Sequence, residues 1–256
     1  MKRRRRTKRQ NRNPSQKPHL LNTALTGEEK NRALARFFFE QTGKKYRAII
    51  GVDEVGRGAL FGPVTVGAVL LTPEKWAVLP QEDWFAQVND SKLVSEKKRI
   101  ILAPLIAAAM PGVVSHSAVR YIDAHNINRA VERAIYKSVQ RLLHQTGMPA
   151  STVRVLFDGK AIPAYPQVGM ARLMPDLSAE IKADQKYFPV SAASILAKVA
   201  RDQMIARADS RFPGYGLAQH AGYGTELHRA AIVKLGLSRL HRKSFCQNVL
   251  QQNSLR

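Results

Sequence analysis

The chain has 256 residues, of which 45% are hydrophobic, and it carries a formal net charge of +22 with a pI near 10.6. This length suits one sizeable α/β domain with an appendage, and a single cysteine, Cys246, excludes a disulfide framework or a cysteine-based zinc site. The longest apolar stretch, residues 100–114, contains two prolines and is too short for a membrane helix, so we expect no membrane span.

Residues 1–44 form a strongly basic extension that we expect to be largely disordered, because it has little apolar material to bury. Within it, the capping-box pattern Thr-Gly-Glu-Glu at 26–29 predicts a helix over 26–41. The basic run at 2–6 favours a non-specific electrostatic arm, with nuclear or organellar targeting as alternatives. We expect the folded domain over 45–250.

Apolar runs and helical periodicity then predict alternating strands and helices. The predicted strands are 47–53, 64–71, 113–119 and 153–157. The predicted helices are 95–110, 126–144, 191–208 and 226–234. The first two strands should form a hairpin-like pair, since glycines and a proline lie between them. This order indicates α/β architecture.

Acidic residues recur where predicted strands or loops meet turns: Asp53 and Glu54 in one place, Asp158 in a second and Asp184 in a third. Four carboxylates gathered together would repel each other, and divalent cations would remove that repulsion. Oxygen ligands select Mg²⁺ or Mn²⁺, and two such ions suit phosphodiester hydrolysis. The alternative is that Asp158 is an ordinary turn residue and Asp184 a surface acid.

Asp53 and Glu54 raise a geometric difficulty, because neighbours on a regular strand point to opposite faces. They can share one metal centre only where the strand ends or bulges, and Gly56 and Gly58 make such a departure feasible. The Gly-Arg-Gly turn, with Arg57 at its centre, offers bare backbone and a planar cation to a phosphate or a sugar.

Several other sites can be set aside. The Gly51 to Gly56 spacing is not a P-loop, because Arg57 and Gly58 replace the required Lys and Ser/Thr. There is no His-Glu-x-x-His zinc motif and no Gly-x-Ser-x-Gly nucleophile motif. We expect His220 and His228 to be ordinary hydrogen-bonding histidines.

Read together, five blocks of this sequence resemble the bacterial ribonuclease HII family, from about Gly51 to Phe245. In chain order the blocks are Gly51-Val-Asp-Glu-Val-Gly-Arg-Gly58 with Gly62-Pro63, then Asp90-Ser91-Lys92, then Ile122-Asp123 with Asn126-Ile127, then Asp158-Gly159 with Lys182-Ala183-Asp184 and the run from Ser191 to Asp202, and finally Tyr215-Gly216, His220 to Tyr223 and His241 to Phe245. The resemblance implies an RNase H-like fold, with a mixed five-stranded sheet flanked by helices and a C-terminal helical region.

The resemblance also implies an activity: cleavage of the RNA strand of RNA–DNA hybrids and nicking of DNA 5′ to single embedded ribonucleotides. It implies that Asp53, Glu54, Asp158 and Asp184 are catalytic acids that hold two Mn²⁺ or Mg²⁺ ions. The products would carry 5′-phosphate and 3′-hydroxyl ends. A bacterial-type cytoplasmic monomer is expected, and no sliding-clamp partner can be named.

For substrate binding, the resemblance implies that the backbone of Gly56, Arg57 and Gly58 reads the ribose 2′-hydroxyl, the group that separates RNA from DNA. Tyr223 would stack near the sugar after the ribonucleotide, and Lys92 would hold a phosphate.

Three departures from the family pattern concern Lys160, Leu93-Val94 and a long spacing between Asp158 and Asp184. Asp202 is a rival for the fourth acid, although beside Arg201 it fits a salt-bridged helical residue. Two other functions fit part of the pattern: a nucleic-acid-binding module without chemistry, and a related nuclease or resolvase that acts on DNA alone.

Overall fold

The computed structural model describes residues 46–160 and 175–251, and its centre is a five-stranded sheet in the order β3-β2-β1-β4-β5. The strands are β1 (Ala48–Val55), β2 (Val64–Leu71), β3 (Gly112–Ser117), β4 (Val153–Asp158) and β5 (Asp176–Glu180). The expectations for residues 1–44, including the helix over 26–41, lie outside the described residues, as does most of the loop before β5.

The sheet is mixed, as expected. β1 pairs antiparallel with β2, and β2 antiparallel with β3, whereas β1, β4 and β5 run parallel to one another. The carboxyl ends of β1, β3, β4 and β5 therefore share one edge of the sheet, which is where ligands bind in α/β folds.

Eight α-helices lie in the described ranges. They are α1 (Pro73–Val78), α2 (Glu96–Ala109), α3 (Val119–Thr146), α4 (Ala183–Lys186), α5 (Phe188–Asp209), α6 (Leu217–His220), α7 (Glu226–Leu235) and α8 (Lys243–Gln251). None of these helices has the length and apolar character needed to cross a membrane.

Two hydrophobic cores sandwich the sheet, because alternate side chains of the strands point to opposite faces. Ile49 packs with α2 and α5 on one face, whereas Ile50 packs with α3 on the other. The helix α5 lies close to the sheet: a Cβ at Gly51 would be 2.2 Å from the Pro189 carbonyl carbon, and one at Gly67 would be 2.2 Å from the Ala193 oxygen. These glycines let α5 approach the end of β1.

A third, smaller core joins the C-terminal helices to the turn after β1. Leu60 and Phe61 of that turn pack with Ile232 of α7 and with Cys246 of α8, which is fully buried. The expected C-terminal helical region is therefore present and is attached to the loop that carries the Gly-Arg-Gly sequence.

Some element boundaries were predicted wrongly. β1 continues to Val55 rather than ending at Asp53, and β3 ends at Ser117, with Val119 already in α3. Helix α3 begins seven residues before the predicted start and is kinked at Asn126, whose φ of 69° is left-handed. The strand β5 was missed because its residues, Asp-Leu-Ser-Ala-Glu, form a partly exposed edge with no apolar run.

Candidate active site

The predicted acids Asp53 and Asp158 lie at the shared edge of the sheet, on adjacent parallel strands. Val52 pairs with Phe157, so the two acids are the next residues in the same register. Asp53 is only 6% exposed and Asp158 is half-buried. The structure therefore places these two carboxylates side by side, as the sequence predicted, and Asp158 is not merely a turn residue.

Burial is the main influence on Asp53 and raises the pKa of its carboxyl to about 7. A hydrogen bond from Ser194 of α5 lowers that pKa, whereas the charges of Glu54 and Asp158 raise it further. The Asp158 pKa is also raised, mainly by burial. When Asp53 and Asp158 are ionised, the surrounding residues provide too little positive charge to balance the two carboxylates.

Glu54 stands inside a regular part of β1, paired with Val66, so the expected strand end or bulge does not occur at this point. Its side chain consequently leaves the strand on the opposite face from Asp53. Glu54 Oε1 lies 3.5 Å from Arg57 Nη1, and Oε2 is buried with no hydrogen-bond partner among the described residues. Burial raises the Glu54 pKa to about 7, Arg57 lowers it, and Asp158 raises it. The charge of Asp158 thus acts on both neighbouring acids.

Asp184 lies in the short helix α4 and is 3% exposed, so it is not a surface acid. The backbone N–H of Ala183 donates to Asp158 Oδ1 at 2.8 Å, which fixes α4 against the end of β4. Burial raises the Asp184 pKa to about 7, with further increases from Asp158, Asp90 and Asp53. All four predicted acids therefore belong to one electrostatically coupled group.

The rival acid, Asp202, lies on α5 and is neutralised by two cations. Its carboxylate is 2.9 Å from Lys198 Nζ and 3.7 Å from Arg99 Nη2. Asp202 is therefore the salt-bridged helical residue that the sequence suggested, but its partners are Lys198 and Arg99 and not the adjacent Arg201.

A fifth acid, Asp90, was missed as a site residue although its Asp-Ser-Lys block was noted. It is 5% exposed and shares a hydrogen bond with Asp184, which raises the pKa of the latter. Asp90 also accepts from the backbone N–H of Lys92 at 2.9 Å and from Gln185 Nε2 at 3.3 Å. Two hydrogen-bonded carboxyl groups require a shared proton or an added cation.

Lys92 faces this acidic group. Desolvation lowers the pKa of its amine, but the carboxylates of Asp90, Asp53, Asp184 and Asp158 outweigh that effect and raise the pKa above its ordinary value. Lys92, which the sequence predicts to bind a phosphate, is thus a cation held beside the acidic cluster.

The donor set fits hard divalent cations in chemistry and in charge. It contains only carboxylate oxygens, several with raised pKa values, and one buried oxygen of Glu54 lacks a partner among the described residues. Within residues 46–160 and 175–251, no three His, Cys, Asp or Glu side chains already converge at metal-binding distances. Binding of an ion would therefore require these carboxylates to move closer together.

These raised pKa values predict a pH-dependent stability in EDTA. Asp53, Glu54 and Asp184 keep their protons to about pH 7 when folded but lose them near pH 4 when unfolded. The folded state binds more protons in that window, so the free energy of unfolding should fall as pH rises from about 4 to 7.

Mn²⁺ or Mg²⁺ competes with these protons, so it should raise the melting temperature more at about pH 8 than at about pH 5. Thermal melts with metal and with EDTA measure both effects. Asp184→Asn should weaken both, and a metal effect that is equal at the two pH values would contradict the assignment.

The Gly-Arg-Gly turn is held from one side by a fully buried arginine, Arg242. Its Nη2 and Nη1 donate to the carbonyls of Gly56 and Arg57 at 2.7 and 2.8 Å, and its Nε donates to that of Gly62 at 2.8 Å. In a trans peptide the N–H points away from the preceding carbonyl. The N–H groups of Arg57 and Gly58 are therefore directed away from Arg242 and can meet a ligand. On the outer side, the Arg57 side chain hydrogen-bonds to Asn128 of α3.

A second buried arginine, Arg201 of α5, connects this turn with the segment that precedes Tyr223. Its guanidinium donates to the carbonyls of Pro63, Phe61 and Ala221, the last two at 3.1 and 3.3 Å. It also fills the space beside Gly56, where an added Cβ would lie 2.2 Å from Arg201 Nε. Sequence reasoning gave Arg242 no role and suggested Arg201 only as a salt-bridge neighbour of Asp202, although both arginines lie in the family-like blocks.

The backbone of Tyr223 is further fixed by a pair of neutral histidines. Ser238 N–H donates to His241 Nδ1 at 2.9 Å, so His241 donates through Nε2 to His228 Nε2 at 3.1 Å. His228 then donates through Nδ1 to the Tyr223 carbonyl at 2.9 Å. Burial lowers the pKa of both rings, that of His241 to about 4.

His220 is likewise hydrogen-bonded, with its Nε2 2.9 Å from the Tyr215 carbonyl and its Nδ1 accepting from the Gly222 N–H at 3.2 Å. The expectation of ordinary hydrogen-bonding histidines is confirmed for both His220 and His228.

Solved structures share this fold. A structure of the PCNA:RNase HII complex from Archaeoglobus fulgidus matches with a TM-score of 0.58 at 25% identity, covering 78% of this chain and 96% of that one. A structure of Bst-RNase HIII in complex with Mn²⁺ matches with a TM-score of 0.59 at 20% identity, covering 82% and 71% of the two chains. The RNase H-like fold expected from the sequence is confirmed.

Sequence comparison is more specific. Ribonuclease HII from Parasynechococcus marenigrum is 43% identical over 206 residues, which cover 80% of this chain and 84% of that protein. The family model described as Ribonuclease HII matches residues 50–248. With the acidic cluster, the Gly-Arg-Gly turn and the mixed sheet in place, the chain belongs to the ribonuclease HII family of metal-dependent endonucleases.

Proposed function

We propose that this ribonuclease nicks duplex DNA on the 5′ side of single embedded ribonucleotides, in addition to cleaving the RNA strand of RNA–DNA hybrids. The observation that carries this proposal is the position of the Gly-Arg-Gly turn. It follows directly on the strand that bears Asp53 and Glu54, and its outward N–H groups can test for a 2′-hydroxyl next to the reacting phosphate.

In this proposal four acids bind metal ions and a fifth positions one of them. Asp53, Glu54, Asp158 and Asp184 would hold two Mn²⁺ or Mg²⁺ ions, with Asp53 and Glu54 on different ions because their side chains leave β1 on opposite faces. Such ions, when bound, stabilise the attacking and leaving oxygens of an in-line hydrolysis. The products would be a 5′-phosphate and a 3′-hydroxyl. Asp90 would orient Asp184 through their shared hydrogen bond, and Lys92 would hold a phosphate at the mouth of the cluster.

Tyr223 would stack on the sugar that follows the ribonucleotide, where an additional hydroxyl would collide with the ring. The contacts of Arg201 and the histidine pair keep this residue at a fixed position relative to the turn. Substrate recognition would then depend on two groups held at a fixed separation: the Gly-Arg-Gly turn, which contacts the ribose, and Tyr223, which contacts the deoxyribose that follows it. The proposed partners are accordingly RNA–DNA hybrids and ribonucleotide-containing DNA, bound by a monomer.

The direct test is incubation with a DNA duplex that carries one ribonucleotide, in Mn²⁺ or Mg²⁺ and in EDTA. We expect a single nick 5′ to the ribonucleotide in metal and none in EDTA. A duplex of the same sequence without ribose is the control: cleavage of that duplex would favour a DNA nuclease, and binding without any metal-dependent cut would favour a simple binding module.

Tyr223→Ala should reduce nicking at a single ribonucleotide more than cleavage of a long hybrid, by roughly tenfold or more, which corresponds to the loss of one stacking contact. Long hybrids have no ribose-to-deoxyribose junction at most cleavage positions, so they lose less. The rates on the two substrates are compared with those of Tyr223→Phe, which keeps the ring but loses the hydrogen bond of the hydroxyl with Arg201 and should keep the ratio of the two rates. An equal loss on both substrates would reject the junction role.

A further inference from the structure

Two cavities flank His116 on the edge strand β3, and no Asp or Glu among the described residues lines either of them. One, of about 590 Å³, lies between β3 and α3, and the other, of about 510 Å³, lies between His116, α5 and the segment before α8. Each is lined by three cationic side chains. They are Arg120, Arg133 and Lys137 in the first and Arg207, Arg211 and Arg239 in the second.

We call these six side chains, together with His116, the basic strip. Within the described residues, none of the six cations forms a salt bridge. Arg133 lies over the ring of Tyr121 at 4.3 Å, and Arg239 lies over that of Phe212 at 5.8 Å. Stacking of this kind orders the guanidinium plane and leaves its N–H edge available to an oxyanion. Such a concentration of like charge without acids is costly and indicates an anionic ligand.

The basic strip lies near the carboxyl end of β3, at the same end of the sheet as the acidic cluster. The pairing of Val64 with Ser117 places the carboxyl end of β3 beside the start of β2, and Thr65 at that start pairs with Val55 of β1. Two strand spacings, roughly 10 Å, separate β3 from β1. A duplex bound at the acidic cluster presents phosphates continuously over such a distance.

We propose that the basic strip binds the phosphodiester backbone of the substrate duplex outside the cleaved linkage, with phosphates in both cavities at once. Two separate sets of cations lie on either side of His116, so a ligand that contacts both must carry several anionic groups. A polymer of phosphodiesters meets this requirement. This inference rests on the proposed function for the identity of the duplex. It assigns the strip a role in affinity, and not in the chemical step.

The test is the salt dependence of duplex binding by the full chain in EDTA. Arg133→Gln with Lys137→Gln removes two charges from the first cavity, and Arg207→Gln with Arg211→Gln removes two from the second. Each double variant should lower the slope of log affinity against log salt by about 2, since roughly one counterion is released per phosphate contact. In metal, KM should rise about tenfold at moderate salt and kcat should be unchanged.

The matched control is Arg47→Gln with Lys75→Gln, which removes two charges at the opposite edge of the sheet, before β1 and after β2. An equal change of slope in this control would mean that only total charge matters, and the strip would be rejected. An unchanged slope in either strip variant would also overturn the proposal. The same conclusion would follow if the strip variants lost binding to anionic lipid vesicles while their binding to the duplex stayed intact. The binding measurements do not depend on cleavage of the ribonucleotide-containing duplex. Failure of the proposed function would therefore be recognised separately, by the absence of a nick in that duplex.

Discussion

Asp53→Asn should lower the rate of nicking by roughly two orders of magnitude or more, because the substitution removes a charged ligand for the metals. Asp53 is buried, and its neighbours Glu54 and Asp158 raise its pKa further. An amide of nearly the same shape relieves this repulsion, so the fold should persist. The free energy of unfolding at about pH 8 in EDTA should rise rather than fall. Single-turnover rates and thermal melts measure the two effects.

Duplex binding gives a further check on Asp53→Asn. Affinity in EDTA should be kept, since the carboxylate itself only repels phosphate. The control is Asp202→Asn, whose carboxylate is already neutralised by Lys198 and Arg99 and which should retain most of the activity. Unchanged turnover in Asp53→Asn would rule out the assigned site, and a large loss in Asp202→Asn with Asp184→Asn still active would exchange the roles of those two acids.

Gly56→Ala should disrupt both the turn and the activity, whereas Gly58→Ala should be tolerated structurally. Gly56 has φ of +81°, a left-handed conformation that costs an alanine about 1 to 2 kcal/mol, and its added Cβ would lie 2.2 Å from Nε of the buried Arg201. At Gly58, an added Cβ would meet no atom of the residues that the structure describes within 4 Å. The two variants carry the same substitution two residues apart, so their difference reports the backbone strain at Gly56 together with its packing against Arg201.

Displacement of the turn in Gly56→Ala moves the N–H groups proposed to test for ribose. We therefore expect a fall in melting temperature and a loss of nicking of about 100-fold, as for a removed preorganised donor. The preference for a single ribonucleotide over a long hybrid should decline as well. Equal melting temperatures and equal rates for the two alanine variants would show that Arg201 does not fix the turn.

Much of the site was predictable because its signals are local. An acid at the end of an apolar run, as at Asp158, indicates a carboxylate at a sheet edge, and Gly-Arg-Gly indicates an exposed turn whatever the fold. The helical periodicity of α3 likewise predicted its buried face, although its first turns and the kink at Asn126 lie outside that pattern. The proximity of the predicted acids, the hairpin of β1 and β2 and the class of fold could thus be predicted from the amino-acid sequence.

Tertiary structure alone decided which distant groups meet. The contact of Asp90 with Asp184 joins residues 94 positions apart, and no spacing rule relates them. Arg201 and Arg242 look like surface cations in a basic chain. They are buried because carbonyls from the turn after β1 satisfy their guanidinium groups, which only the packed C-terminal region can arrange. The strand β5 has no hydrophobic signature because its stability comes from pairing with β4, and the position of His116 depends on the order of strands in the sheet. Sequence therefore determined which chemistry is present, and long-range packing determined where each group is held.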